Sequence, residues 1–407
     1  MKLLVISSIY PGNGTPDTYT PVVHYFVREW IKLGYEVKVI HTCTYFPQIY
    51  YKAPEWLRRQ LQNRLGIPLP EVRLDEEVEY EYEGVVVYRI PMRKIIPMGR
   101  YSEKEIRIAC EKIDNYISRN NYMPQYIISH WLNPQLEIMS YLKNKIGATT
   151  ALVLHGAGKR MFKPFKNWLF LKDNVDIWGY RSLAIKEVFE SLYGSPQYSF
   201  RCYSGIPAYY LQNIPLRDGI FHNHFTQVGL LIERKYPDKT IEAITTVYGN
   251  DEFSLNMIGD GSMKNDLNTK IEQMGIKDKI HLLGRMPRKE IINYLDNTDV
   301  FVLVSRDEVF GLVYIEAMAR GCLVIASRGG GMEGIITHGY NGFLCEAGNA
   351  TDLARIITHI RSMSENDRKR MSYAAIATAS NLTDFEVARN YIESIVRYGR
   401  IIKEKSE

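Results

Sequence analysis

The sequence alternates between short, almost wholly apolar segments and amphipathic segments with helical spacing. The first three, KLLVISS (2–8), VVHYFVREWIKLG (22–34) and EVKVIHT (36–42), predict a strand, a helix and a strand. Strands with so few polar residues are typical of parallel sheets, which helices cover on both faces. Further strands are predicted at 85–90, 126–130, 151–155 and 175–180. The first half is therefore predicted to be α/β, with a doubly wound parallel sheet.

The alternation stops once and then starts again. SGIPAYYLQNIPLRDG (204–219) contains two prolines and many polar residues, and we predict the linker between two domains there. A length of 407 residues also favours two domains. New strands are predicted at 225–232, 254–261, 279–285, 299–305, 322–331 and 342–348. We predict an N-terminal domain at 1–212, a C-terminal domain at 213–383 and a terminal amphipathic helix within 384–407.

Composition limits the classes of function. The formal net charge of +5 is too small to indicate nucleic acid as a partner. Five cysteines lie far apart without a C-x-x-C pair, which predicts neither a disulfide framework nor a zinc site. No apolar run reaches the roughly 20 residues that span a bilayer, and the apolar run at 2–8 is too short for a signal peptide. The acidic run at 75–84 predicts a solvated strand and turn. We expect a cytoplasmic protein.

The segment SRDEVFGLVYIEAMARG (305–321) carries the main candidate site. A predicted strand ends at Ser305 and a helix is predicted to start near Gly311. Ligands of open α/β sheets bind beyond the carboxyl ends of strands, and a helix N-terminus attracts anions through its unpaired N–H groups. The backbone amides of Phe310, Gly311, Leu312 and Val313 are therefore candidates to bind a phosphate or sugar oxygens.

Two glutamates in this segment are candidates to bind hydroxyl groups. Glu308 lies in the loop and Glu316 about one and a half turns into the helix, so both are predicted to point toward one crevice. An ionised carboxylate accepts hydrogen bonds from vicinal hydroxyls, as on a sugar ring or a ribose. The alternative is that Glu308 is solvated and Glu316 is an ordinary helical residue.

The spacing Glu308-x7-Glu316, with its strand, loop, glycine and helix, resembles the signature of family 4 retaining glycosyltransferases. The resemblance implies the GT-B fold, in which two Rossmann-like domains face a central cleft and a C-terminal helix crosses back onto the N-terminal domain. It also implies that the C-terminal domain binds a nucleotide sugar and that the N-terminal domain binds the acceptor. Glu308 would then hold the sugar and Glu316 the ribose.

Other stretches resemble the same family in the expected order. GLLIERKYPDKTIEAI (229–244) resembles the segment with the phosphate-binding lysine, and HLLGRMPRKEI (281–291) resembles the nucleoside loop. IGDG (258–261) resembles the family's glycine turn, and RGGGMEGIITHGYNGFLCEAGN (328–349) resembles its GG-x-x-E stretch with the loop and strand that follow. The donor-binding residues implied outside the 305–321 segment are Gly229, Arg234, Lys235, Gly259, Gly261, Arg285 and Met286.

Candidates in the first half lie after predicted strands. By resemblance, His130 matches the family histidine that contacts the donor sugar, and His155 matches one near the acceptor. Gly12 and Gly14 follow the first strand, where relatives use paired glycines on the acceptor side. The alternatives are packed histidines and an ordinary turn.

The resemblance implies transfer with retention of anomeric configuration, with His130, Lys235 and Glu308 as the catalytic residues. No Asp-x-Asp site follows a strand, so we predict no metal and no other cofactor. The implied partners are a nucleotide sugar and a glycan or lipid-linked acceptor. A phosphorylase, a nucleotide-sugar hydrolase and a silent scaffold that binds nucleotide sugar remain as alternatives.

Two segments are candidates for contact with an anionic membrane. KRMFKPFKNWLFLK (159–172) has five basic residues and no acidic one, and APEWLRRQLQNRL (53–65) is a basic amphipathic segment. Both are alternatively explained by packing on the N-terminal core. Membrane contact would suit a lipid-linked acceptor at the inner face of the cell membrane.

Overall fold

The computed structural model describes residues 1–16, 20–65, 69–97, 99–156 and 168–405. The chain divides into two compact units. The first unit comprises Met1–Arg181, Ile185–Cys202 and Val387–Glu407, and the second comprises Ser182–Ala184 and Tyr203–Glu386. The domain limits at 212 and 383 stay predictions.

Among the described residues, the first unit has an eight-stranded sheet in the order β3-β4-β2-β1-β5-β6-β7-β8. The strands are Lys2–Ser7 (β1), Glu36–Tyr45 (β2), Val78–Tyr82 (β3), Val85–Arg93 (β4), Tyr126–His130 (β5), Thr149–Leu154 (β6), Ile177–Tyr180 (β7) and Ser199–Arg201 (β8). The helices of this unit, wholly or for most of their length, are Val22–Lys32, Gln48–Lys52, Glu55–Leu65, Glu103–Arg119, Gln135–Ile146, Trp168–Asp173, Leu183–Tyr193 and Asp384–Glu404.

One edge of this sheet departs from the parallel pattern. The acidic run at 75–84 contributes β3, which pairs antiparallel with β4. Glu83 and Gly84 have φ of +47° and +79°, which suits the tight two-residue turn between the strands. The strand alternates between half-buried and exposed residues because one of its faces meets solvent. The predicted strand and turn are confirmed.

The second unit has a six-stranded parallel sheet, among the residues that the structure describes, in the order β11-β10-β9-β12-β13-β14. Its strands are His224–Val228 (β9), Ser254–Ile258 (β10), Ile280–Gly284 (β11), Val300–Leu303 (β12), Leu323–Ser327 (β13) and Phe343–Cys345 (β14). Its helices are Ala208–Leu211, Glu233–Lys235, Pro237–Tyr248, Lys264–Met274, Arg288–Asp296, Leu312–Ala319, Ala350–Ser362 and Glu365–Ser380.

The strand order of the second sheet reverses between β9 and β12. β10 and β11 extend from one side of β9, while β12, β13 and β14 extend from the other. Pairing between β9 and β12 involves only Phe225 with Val300 and Thr226 with Phe301, so the two strands separate toward their carboxyl ends. A crevice at this position is where open α/β sheets bind ligands.

The terminal helix Asp384–Glu404 packs in the first unit from Val387 onward, as predicted. The indole N–H of Trp30 donates to the carbonyl of Ala388 at 2.8 Å, and the ring of Tyr391 meets that of Trp30 edge to face. These contacts bury the apolar face of the helix on the first unit. Within the described ranges, no helix combines the length and apolarity that crossing a membrane requires.

Glycines allow two loops of the second sheet to touch backbone to backbone. A Cβ on Gly259, which has φ of +146°, would lie 1.8 Å from the carbonyl oxygen of Gly229. A Cβ on Gly261 would lie 2.3 Å from the carbonyl oxygen of Leu231. The amide of Leu231 also donates to the carbonyl of Asp260 at 3.0 Å. The loops after β9 and β10 therefore pack directly on each other. The chain leaves the sheet to make this contact, so the strand predicted at 225–232 ends at Val228.

Replacing Gly259 by alanine is expected to lower the free energy of unfolding of the second unit by roughly 3 kcal/mol or more, because backbone atoms cannot make room for the methyl group. The matched control is Gly275→Ala, since Gly275 also has positive φ, +66°, but faces open space. It should cost about 1 kcal/mol. Thermal unfolding followed by circular dichroism measures both, and equal costs would contradict the packing argument.

Candidate functional site

Two of the predicted site residues meet at the crevice between β9 and β12. Lys235 ends the short helix Glu233–Lys235 after β9, and its side chain is buried. Its ammonium group forms an ion pair with the carboxylate of Glu308, which lies in the loop after β12. Ser305 donates to the same carboxylate oxygen at 3.2 Å. Residues 73 positions apart in the chain are therefore brought into contact by the strand order.

The helix Leu312–Ala319 begins beside this ion pair. Gly311 precedes it with φ of +79°, and a Cβ there would lie 2.5 Å from the ring of Tyr314 and 3.2 Å from Cγ of Glu308. Among the described residues, no side chain caps this helix N-terminus. The amides of Leu312 and Val313 thus lie at a helix start that suits an anion.

A glycine-rich loop packs on the same helix start. A Cβ on Gly331 would lie 2.4 Å from Cα of Phe310, so only glycine permits this approach. The carboxylate of Glu333 accepts a hydrogen bond from the amide of Gly329 at 3.0 Å, which closes the loop on itself. Phe310 is buried, whereas Leu312 and Val313 are partly exposed.

Glu316 is buried in the same helix and is held by two side chains. The guanidinium of Arg288 donates to its Oε1 from Nε at 2.7 Å, and Nη2 lies 2.6 Å from that oxygen. The hydroxyl of Tyr210 lies 3.0 Å from its Oε2 and 3.1 Å from the carbonyl oxygen of Arg288. Both oxygens of the carboxylate are therefore oriented by protein groups.

The charge of Glu316 shifts the pKa of both side chains that hold it. Burial, the largest cause, lowers the pKa of Arg288, but the charges of Glu316 and Tyr210 and the hydrogen bond to Glu316 together raise this pKa overall. Burial, followed by the charge of Glu316, raises the pKa of Tyr210. Neither Arg288 nor Tyr210 is among the residues that the sequence pattern predicts for the site. Arg288 lies in the stretch 281–291 that resembles a nucleoside loop, whereas Tyr210 lies in the predicted linker and gave no signal.

The remaining donor-side candidates surround the crevice. The carbonyl of Arg234 accepts a hydrogen bond from the amide of Arg306 at 2.8 Å and joins the loops after β9 and β12. Gly229 is the glycine whose carbonyl contacts Gly259. Arg285 and Met286 follow β11, and Arg285 is exposed. Their predicted donor contacts stay predictions.

The two histidines of the first unit lie in contact. Nδ1 of His130 is 3.1 Å from Nε2 of His155, and Nε2 of His130 is 3.2 Å from the hydroxyl of Tyr391. Both ring nitrogens of the fully buried His130 are thus within hydrogen-bond distance of protein groups. His155 is partly exposed and stacks on Trp131 with 4.2 Å between ring centroids. Burial, followed by the charge of Arg181, holds the pKa of both histidines well below the usual range.

The glycines of the first loop pack within the first unit. A Cβ on Gly12, which has φ of +96°, would lie 2.8 Å from the ring of Tyr82 and 2.9 Å from that of Tyr80. Gly14 has φ of +78°, with a side-chain atom of Leu74 at 3.7 Å from its Cβ position. Packing on the β3–β4 hairpin accounts for Gly12, and the acceptor role of both glycines stays a prediction.

A fully buried histidine, His41, lies on β2 beside Ser7 of β1 and Arg89 of β4. Burial, followed by the charge of Arg89, lowers the pKa of His41 to about 3. His41, His130 and His155 therefore stay neutral in the folded unit at pH values where an unfolded histidine, with a pKa of about 6.5, takes up a proton.

The first unit is expected to lose stability as the pH falls below about 6.5, because only the unfolded chain then binds these protons. For His41, whose folded pKa is about 3, this loss is about 2 kcal/mol at about pH 5. All five tryptophans lie in the first unit, so urea unfolding followed by tryptophan fluorescence reports on it. Between about pH 7 and 5, the free energy of unfolding of the His41→Leu variant should fall by about 2 kcal/mol less than that of the unsubstituted chain.

The control for this experiment is His359→Gln, at an exposed histidine of the second unit, which should leave the acid loss unchanged. An undiminished loss in His41→Leu would contradict a neutral His41.

Sequence comparison relates the second unit to a known family. Residues 222–378 match the family described as Glycosyl transferases group 1. An uncharacterized glycosyltransferase of Methanocaldococcus jannaschii is 29% identical over 330 residues, 78% of this chain and 88% of that protein. The amylovoran biosynthesis glycosyltransferase AmsK of Erwinia amylovora is 30% identical over 192 residues, 45% of this chain and 47% of its own length.

Solved structures share the fold. Anabaena HepE in complex with UDP superposes with a TM-score of 0.67 at 16% identity, over 98% of this chain and 100% of HepE. The lipopolysaccharide outer core galactosyltransferase WaaB, in its apo form, gives 0.68 at 16% identity, over 98% of this chain and 99% of WaaB. The predicted GT-B fold, with two parallel-sheet α/β domains, is confirmed. Residues 222–378 are therefore similar to the group 1 glycosyl transferases, and the chain as a whole has the GT-B fold.

Proposed function

We propose that this protein transfers a sugar from a nucleotide-diphosphate sugar, with UDP or GDP as the nucleotide, to a hydroxyl of a glycan or lipid-linked acceptor. The reaction would serve polysaccharide or glycoconjugate biosynthesis. The observation that carries the proposal is the cluster of Lys235, Glu308 and Glu316 around the uncapped start of the helix Leu312–Ala319. The UDP bound to HepE and the biosynthetic name of AmsK support the same donor and pathway class.

The cluster has the charges that a nucleotide-diphosphate sugar requires. The ammonium of Lys235 and the amides at the helix start would compensate the diphosphate. Glu308, already oriented by Ser305, would accept hydrogen bonds from sugar hydroxyls. Glu316 has lone pairs left beside Arg288 and Tyr210 and would accept from the ribose. The family 4 assignment and the Glu308-x7-Glu316 motif are part of this proposal.

The mechanism we propose is a front-face displacement with retention. The bond between the anomeric carbon and the phosphate oxygen breaks, and the acceptor oxygen attacks the same face. The acceptor proton passes to the departing phosphate, whose charge Lys235 and the helix amides stabilise. His130 would support the donor sugar, as the family resemblance implies, through the hydrogen-bond chain that it forms with His155. No metal takes part in this proposal.

Ligand-induced thermal stabilisation tests the donor site. UDP, GDP and ADP, each alone and as common sugar conjugates, are compared in the presence of EDTA. One nucleotide is expected to stabilise the protein selectively, and Lys235→Ala or Glu316→Ala should weaken its apparent affinity about tenfold or more. Lys239→Ala, at a partly exposed lysine four residues from Lys235 that pairs with Glu242, is the matched control and should bind as the unsubstituted chain does.

Three outcomes would contradict the proposal. Stabilisation by no nucleotide would favour a silent scaffold with another ligand. A strict requirement for a divalent ion would contradict the metal-free mechanism. Release of free sugar or sugar phosphate in place of a glycosylated acceptor would indicate a hydrolase or a phosphorylase.

Tyr210→Phe tests whether the orientation of Glu316 matters for the donor. Loss of one hydrogen bond to the carboxylate should raise the KM for the nucleotide sugar about threefold to tenfold and leave kcat nearly unchanged, because the ribose lies away from the reacting bond. Steady-state kinetics with varied donor measure the effect. Tyr209→Phe removes the neighbouring hydroxyl and is the control. A fall in kcat at unchanged KM would contradict the ribose role of Glu316.

A further inference from the structure

Two segments of the first unit leave the sheet at the same place. β2 and β4 are parallel neighbours that end in register, with Tyr45 opposite Arg93. The amide of Lys94 donates to the carbonyl of Tyr45 at 2.9 Å, which ties the start of the segment after β4 to the end of β2. Residues 46–65 follow β2, and residues 94–100 follow β4. Both segments therefore start from one corner of the sheet.

These segments carry large apolar side chains that face solvent. Ile95 and Ile96 are 76% and 63% exposed, and Trp56 is 66% exposed. Ile49 and Leu57 are exposed as well. We call these five side chains the apolar rim. Single exposed apolar residues are ordinary on protein surfaces, but several large ones on adjoining segments indicate a surface that contacts a partner.

The rim is held in place by contacts behind it. In the helix Glu55–Leu65, Arg58 donates to the carbonyl of Glu71 at 3.2 Å and Gln62 donates to that of Leu69 at 3.1 Å. These contacts fix one face of the helix, whereas Trp56 and Leu57 stay exposed. The ammonium of Lys94 lies 4.8 Å from the ring centroid of Tyr101 and anchors the segment that carries Ile95 and Ile96.

The charge of the rim segments identifies the kind of partner. Residues 46–65 and 94–100 together contain six lysines and arginines and one acidic residue, Glu55. Their net charge of +5 equals that of the whole chain, so the remainder of the protein carries no net charge. Exposed isoleucine and tryptophan side chains among basic residues suit the interfacial region of an anionic bilayer, where the headgroups meet the acyl chains.

We infer that the apolar rim is a docking surface for an anionic lipid membrane. Ile49, Trp56, Leu57, Ile95 and Ile96 would insert among the acyl chains, while Lys52 and its basic neighbours would contact lipid phosphates. This inference goes beyond the proposed transfer reaction, because binding to a membrane requires neither donor nor acceptor. The segment 159–172, which the sequence also suggests for this role, lies outside the described residues for most of its length.

Vesicle flotation with the full chain tests the inference. The vesicles contain phosphatidylcholine alone or an equal mixture of phosphatidylcholine and phosphatidylglycerol. The protein is expected to bind the mixed vesicles in low salt, more weakly in high salt, and the neutral vesicles poorly. The double variant Ile95→Ser/Ile96→Ser should bind at least about tenfold more weakly, and Lys52→Glu should also weaken binding. Unchanged thermal unfolding shows that each variant is folded.

Met123→Ser is the matched control, because Met123 is 61% exposed and lies just before β5 begins, whereas the rim segments follow the ends of β2 and β4 in the same sheet. It should bind as the unsubstituted chain does. Absence of binding to both vesicles, or equal loss in the control and the rim variants, would overturn the inference. The inference would also be overturned if the rim only mediated self-association, which would show in sedimentation as a loss of self-association in the double variant. A chain that binds UDP but no vesicles would overturn this inference alone.

Discussion

The separation of β9 from β12 is the constraint on which the candidate site depends. The strand order of the second sheet reverses at this pair, so the helices that follow the two strands lie on opposite faces and their loops diverge. One loop carries Lys235 and the other carries Glu308. Glycines support the loop on one side of this crevice, since the loops after β9 and β10 touch through their backbones at Gly229 and Gly259. Side chains at these positions would push the loops apart.

Each of the two carboxylates of the site has a cation of its own. Glu308 pairs with Lys235 at the mouth of the crevice, and Glu316 pairs with Arg288 deeper in the same unit. A buried carboxylate without a partner would be costly, and in each pair the cation compensates the charge of its glutamate. The two ion pairs differ in the hydrogen-bond donors that they leave available for a ligand. Lys235 has further donors for an anion, whereas Arg288 serves mainly to orient Glu316.

In the first unit, the polar residues near the strand ends form a buried hydrogen-bonded chain. His130 connects His155 to Tyr391, which belongs to the last helix of the protein. The terminal helix therefore contributes directly to the surroundings of the histidines, in addition to covering apolar surface. Its position also explains why His130 is fully buried although it ends a strand at the edge where parallel sheets commonly bind ligands.

The sequence by itself determined the fold class, because apolar strands and amphipathic helices alternate with periods that only an α/β arrangement can bury. It also located Glu308 and Glu316 as candidates, because they lie in the loop after a strand and at the start of a helix, while Lys235 was implied by the family resemblance. Only the tertiary structure decided which side chains meet. Tyr210 reaches Glu316 from 106 positions away, and Tyr391 reaches His130 from 261 positions away. Local periodicity carries no information on such contacts, because they depend on the order of strands in the sheet and on where the last helix packs.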